Sequence, residues 1–152
     1  MHIVLVEPEI PQNAGNIART ASATGATLHL VKPLGFEIDD AKLKRAGLDY
    51  WHTLDIHYHE SLEELQKAFP EGEYYYLTTK GKKTYSDFSF GANTFLVFGK
   101  ETKGLPEPLL KANSERCLRI PMKEGARSLN LSNAVAIIAF EVLRQQGFVG
   151  LK

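Results

Sequence analysis

The chain has 152 residues, with eighteen basic and eighteen acidic side chains and zero formal net charge. That length fits one domain with a substantial core, and the charge balance argues against a dedicated nucleic-acid coat, which carries a large positive excess. One cysteine, Cys117, excludes an internal disulfide framework or a cysteine-rich metal site. The longest apolar run, Ala134–Phe140, is too short to span a bilayer. The N-terminus lacks the layout of a signal peptide, so a soluble cytoplasmic protein is expected.

His2–Val6 reads as a buried strand. Pro8 and Pro11 enforce an extended connector. Asn13 is placed to cap a helix that reaches Thr24 and ends at Gly25. That helix is rich in small residues, and Arg19 shares one of its sides with Gly15 and Asn16. A guanidinium there suits an anionic ligand such as phosphate.

Thr27–Val31 is a second strand and Leu54–His59 a third. Asp39 and Asp40 open a short basic helix over Ala41–Ala46. His57 and His59 fall on one face of the third strand, without a carboxylate or thiolate partner for a metal, and read as structural. Ser61 caps Leu62–Phe69, with Glu64 completing the capping-box spacing. Tyr74–Thr78 and Phe95–Phe98 are further strands, and Pro106–Ala112 a further helix. Strands and helices alternate, which points to an α/β domain with a largely parallel sheet.

Ligands of such sheets bind beyond the carboxyl ends of the strands. Three loops carry polar chemistry there: Thr79–Lys83, Gly99–Gly104 (GKETKG) and Pro121–Leu131. The second fails the Walker pattern, because Leu105 and Pro106 follow its last glycine, and no G-x-G-x-x-G is present. Cys117–Ile120 is a strand, and Asn133–Gln146 a strongly apolar helix capped by Ser132 or Asn133. Between them, Ser128 and Asn130 point to one side of an extended backbone while Leu129 and Leu131 point to the other. From this loop alone, spare capping residues and a functional pair are equally good readings. Three basic clusters are available for a polyanion: Lys42, Lys44 and Arg45; Lys80, Lys82 and Lys83; and Lys123 with Arg127.

Three segments taken together carry a resemblance. PEIPQNAGNIART (Pro8–Thr20), FLVFGKETKGLP (Phe95–Pro106) and IPMKEGARSLNLSNAVAI (Ile120–Ile137) are similar, in order and spacing, to the three motifs of SPOUT-class RNA methyltransferases. Gly35–Trp51 and Tyr76–Gly81 bring the chain nearest to the tRNA (cytidine/uridine) 2′-O-methyltransferases of the wobble nucleotide.

The resemblance implies a single SPOUT domain over residues 1–152, mostly parallel, with flanking helices and a C-terminal trefoil knot. It implies S-adenosylmethionine as methyl donor, held by Leu77, Gly99, Ile120, Met122, Ser128 and Leu129, and no metal. It places catalysis on Arg19, with Ser128 and Asn130 orienting Arg19 and substrate and Glu101 fixing the loops or the RNA. It further implies a cytoplasmic homodimer with the site near the subunit boundary, acting on the tRNA anticodon loop. A guanidinium stays protonated and is a poor base, so the expected role of Arg19 is to stabilise developing alkoxide while phosphate or water takes the proton. The competing readings are a non-catalytic knotted RNA-binding dimer and a flavodoxin-like small-ligand module.

Overall fold

The computed structural model describes residues 1–38 and 49–152. The expected helix at Ala41–Ala46 and the basic cluster Lys42, Lys44 and Arg45 lie outside the described residues. In chain order the elements are β1 (His2–Val6), α1 (Pro11–Thr24), β2 (Thr27–Val31), β3 (Ile56–His59) and α2 (Leu62–Ala68). There follow β4 (Glu73–Leu77), β5 (Lys83–Thr84), β6 (Thr94–Phe98), α3 (Glu107–Ala112), β7 (Cys117–Arg119) and α4 (Leu131–Gln145). The strands form one sheet in the order β3-β2-β1-β6-β4-β7-β5, and every pairing is parallel.

The sheet is covered on both faces, which is why its central strands are continuous apolar runs. In β1, Ile3 and Leu5 pack with Ile17 and Ala18 of α1 and with Val135 and Ile138 of α4. Val4 and Val6 face the other way, into a cluster with Leu65 of α2, Tyr76, Phe95 and Leu105. The two-residue β5 has no apolar pattern and is not evident from the sequence.

Two helix caps differ from expectation. Asn13 does not cap α1: the N-cap is Ile10, whose side chain makes no capping bond. Pro11 at the first helical position starts the helix earlier, since its fixed φ is already helical and it has no N–H to satisfy. Gly25 ends this helix as expected, at φ +74° with its N–H on the Ala21 carbonyl. In α4 the cap is Asn130, not Ser132 or Asn133, and the helix begins at Leu131. Asn130 Oδ1 accepts from the Ser132 N–H at 2.9 Å and from Ser132 Oγ at 2.6 Å.

The C-terminal part is threaded. β4 and β5 are consecutive in the chain, yet β7 lies between them. The connection from β5 to β6 carries Phe88 and Phe90, which pack on the same face as α4. Leu105, Leu109 and Leu110, around α3, pack on the opposite face. In passing from α3 through β7 to α4, the chain therefore goes through the path closed by β4, β5 and β6. This thread is the expected trefoil knot, an exception to the usual avoidance of threaded connections. α4 then grips the loop that surrounds it: Gln145 Oε1 accepts from Phe90 N–H at 2.9 Å, and Gln145 Nε2 donates to Phe88 O at 2.9 Å. Gln146 Nε2 donates to Gly91 O at 3.0 Å.

On the α2 face, four histidines from three strands come together. His2 Nδ1 and His29 Nε2 are 2.9 Å apart, as are His29 Nδ1 and His59 Nε2. His2 stacks on Phe95 with ring centroids 4.0 Å apart, and Phe69 stands edge-on to His29. His57 instead pairs with Asp55 at 2.8 Å, partly in solvent. Among the described residues, no group of three or more histidine, cysteine or acidic side chains is arranged to hold a metal.

Candidate active site at the strand ends

The loops leaving β1, β4, β6 and β7 meet at the carboxyl ends of the strands, as the parallel sheet predicts. They surround a cavity of about 420 Å³ whose lining includes Leu77, Gly99, Ile120, Met122, Ser128 and Leu129, all six residues expected to hold the cofactor. Glu101 and Asn130 line it too, whereas Arg19 is not among the lining residues and stands exposed on α1.

The loop after β6 is a tight turn. Gly104 N–H donates to Lys100 O at 2.8 Å, and Gly104 adopts φ +66°, a left-handed conformation that favours glycine. A Cβ on Gly99 would overlap the carbonyl carbon of Gly104 and the nitrogen of Leu105, so only glycine fits where the turn doubles back.

This turn presents Glu101 to the β1–α1 connection. Glu101 Oε2 accepts from Glu9 N–H at 2.8 Å, and Oε1 accepts from Ile10 N–H at 3.1 Å and from Asn13 Nδ2 at 3.3 Å. Glu9 returns the grip, its Oε1 accepting from Thr102 N–H at 3.1 Å and Thr102 Oγ1 at 2.7 Å. Those Thr102 bonds, aided by the nearby Lys100 and Lys103 charges, hold the Glu9 carboxyl below its usual range.

Asn13 is the joint that sequence reasoning assigned to the wrong task. It is 4 % exposed and spans the site, donating to Glu101 and accepting from Asn130 Nδ2 at 3.0 Å. One buried amide thus ties α1 to the loop after β6 and to the loop before α4. Asn130 is connected to α1 through Asn13. The separation of Asn13 from Glu101 and Asn130 (88 and 117 residues) left no local signal. Ser128, Leu129, Asn130 and Leu131 all line the cavity.

The bonds to Glu101 give a direct prediction. In Glu101→Gln one carboxylate oxygen becomes an amide N–H₂, which would face a backbone N–H of residue 9 or 10. Losing a charge-assisted acceptor at such a site costs about 1–3 kcal/mol. The Glu9 and Ile10 amides should then exchange hydrogen faster, and the thermal midpoint should drop. Unaltered exchange at both amides would refute this role.

The charged groups around the cavity differ in how well they are neutralised. Lys80 pairs with Glu107 at 3.2 Å and Lys83 with Glu115 at 3.3 Å, while Lys100 stands 3.8 Å from Glu7. Lys123 and Arg127 lie on the exposed loop before α4.

Comparison with known proteins decides the family. The SpoU rRNA methylase family matches residues 1–140. The chain belongs to that family. A relative from Yersinia pestis, a tRNA (cytidine(34)-2′-O)-methyltransferase, is 47 % identical over 157 residues, which covers 99 % of this chain and 96 % of the relative. A solved structure concerned with the 2-OH methylation of C/U34 on tRNA superposes with TM-score 0.89 and 46 % identity, covering 97 % of this chain and 96 % of that one. A more distant family member, the methyltransferase AviRb from Streptomyces viridochromogenes in complex with AdoMet, gives TM-score 0.80 at 26 % identity, over 100 % of this chain and 59 % of that chain. The SPOUT likeness carried by the three motifs therefore holds along the whole chain.

Proposed function

We propose that this chain is a tRNA methyltransferase that uses S-adenosylmethionine to methylate the ribose 2′-hydroxyl of the wobble nucleotide, cytidine or modified uridine. The observation that carries the reading is the convergence of all six expected cofactor-contact residues on one cavity, in a chain nearly half identical to a cytidine(34) 2′-O-methyltransferase over its full length. The cavity is within the size range of small-molecule sites. Its wall mixes Leu77, Ile120, Met122 and Leu129 with a glycine turn and the Ser128 hydroxyl, which suits an adenine ring and an aminoacyl chain.

Methyl transfer forms a bond from O2′ to the methyl carbon as the carbon–sulfur bond breaks, with its electron pair going to sulfur. The bound cofactor supplies an activated methyl, so the protein's work is alignment and removal of one proton. The knot loops hold the donor, and Glu101, Asn13 and Asn130 fix those loops against α1. Arg19 stabilises the developing alkoxide while a phosphate oxygen or water takes the proton.

Arg19 is exposed and outside its own chain's cavity, which suits a second copy whose α1 brings Arg19 to the site. The exposed apolar residues Ile137 and Phe140 of α4, 38 % and 47 % exposed, suit such a homodimer. We read residues 1–152 as a single SPOUT domain acting in the cytoplasm. No helix among the described residues is long and apolar enough to cross a membrane.

The anticodon loop is bound by cations on the dimer surface. Lys80 and Lys83 each sit beside a carboxylate, Glu107 and Glu115, whereas Lys123 and Arg127 lie together on the exposed loop before α4 and suit phosphate contacts. Affinity should fall steeply with salt, and removing either cation should lower the log–log slope by about 1. A flat salt dependence counts against this surface. The function itself is tested by mass mapping of ribose methylation in tRNA from cells with and without the protein. Loss of methylation at the wobble nucleotide alone is the expected result, and an unchanged map would overturn it.

A further inference from the structure

Ile10 is a branched apolar side chain left 41 % exposed on the wall of the cavity, although its backbone is held firmly. Its N–H donates to Glu101 Oε1 at 3.1 Å, and its carbonyl accepts from the N–H groups of Asn13 and Ala14 at 3.1 and 3.2 Å. Pro11 disfavours a helical conformation for it, and it is extended at φ −105°, ψ 115°. On the facing segment Leu129, 40 % exposed, lines the same cavity. The Asn13–Asn130 bond of 3.0 Å ties these two segments together beside both residues.

The other apolar lining residues are less exposed: Leu105 and Ala134 are 6 % and 5 % exposed, and Leu77, Leu110, Ile120, Met122 and Leu131 are part-buried, so the apolar lining is most open at Ile10 and Leu129. Methyl transfer must seat two molecules at one place, and the larger one covers the donor from the rim side. Neither Ile10 nor Leu129 carries a side-chain donor or acceptor. Such a pair can pack against the flat face of a ring without reading its edge.

We propose that Ile10, set against Leu129 at the edge of the methyl donor's cradle, forms an apolar rim that takes the face of the target nucleobase, and that Ile10 is a substrate contact outside that cradle. The inference rests on the methyl-transfer reading above. It gives a physical basis for accepting either pyrimidine, since the ring face is common to both.

The test compares Ile10→Ala and Ile10→Leu with the parent full-length protein. KM for tRNA is measured at saturating S-adenosylmethionine, cofactor affinity by titration calorimetry without RNA, and assembly by sedimentation. Truncation to alanine should raise KM for tRNA about tenfold, with kcat and cofactor Kd held within about twofold. Leucine should restore most of the loss. A cofactor Kd that weakens as much as KM would put Ile10 in the donor's cradle and overturn the proposal. So would dissociation of the dimer at assay concentration, which would make Ile10 a subunit contact, or an unchanged KM. A parent protein inactive on every tRNA would overturn the underlying function as well, whereas an active parent with an unshifted variant overturns this proposal alone.

Discussion

Arg19→Ala should reduce single-turnover methyl transfer by about a hundred- to a thousandfold, the usual effect of removing one donor aimed at developing negative charge. Affinity for S-adenosylmethionine should stay near the parent value, because Arg19 is outside the cavity lining and exposed on α1. Arg19→Lys keeps a charge but loses the planar fork that can hold a hydroxyl oxygen and a phosphate together, so it should rescue only part of the rate. Mixing variants probes where Arg19 acts. In a two-fold dimer whose sites combine α1 of one subunit with the knot loops of the other, Arg19→Ala and Asn130→Ala chains rebuild one intact site per heterodimer, and about a quarter of parental activity should return on statistical mixing. If Arg19 serves its own chain's cavity, no intact site forms and nothing returns. Single-turnover transfer at the parental rate in Arg19→Ala would sink the assigned role.

The central sheet is plain in the amino-acid order because its strands are buried on both faces. Ile3–Val6 and Phe95–Phe98 need no partner to be recognised as interior strands. The thread is a different kind of fact. It depends on β7 entering between two strands that are already consecutive, and no local pattern in Cys117–Arg119 specifies its neighbours. Only the likeness to a family with that topology could supply it.

The same division runs through the site. The cavity's lining follows from motif positions, yet the bonds that hold it together join residues about ninety or more apart in the chain. Asn13 shows how a local rule is overridden. An asparagine near a helix start is a good cap, but Pro11 set the start earlier, which left Asn13 buried and available to Glu101 and Asn130. Asn130, considered as one of several spare caps, both caps α4 and reaches α1.

Acid should weaken the fold well before ordinary carboxylates protonate, and the histidine row on the α2 face is the cause. Burial holds His2 down to about 4 and His29 to about 3, and it lowers His59 despite the nearby Glu64 carboxylate. Asp55 pulls weakly the other way on His2 and His29, while the N-terminal ammonium and the other imidazoles add to the lowering. His29 uses both ring nitrogens, so in its neutral form one donates and the other accepts. A second proton would make both His29 nitrogens donors, forcing His2 and His59 into their accepting tautomers, and would place a charge on a buried ring. In the unfolded chain each ring titrates near 6.5. Because the folded values are lowered, the folded state binds fewer protons than the unfolded one, and stability rises with pH across that interval. The contribution is fully present above about 6.5 and is lost progressively as pH falls toward 4 and then 3. Urea midpoints should therefore be flat above neutrality and decline below it. His29→Gln supplies a donor and an acceptor without a titrating proton, so it should cut the slope of unfolding free energy between pH 4 and 6 by about 1.4 kcal/mol per pH unit. Equal slopes in parent and variant would show that His29 is not held neutral and has no part in acid sensitivity.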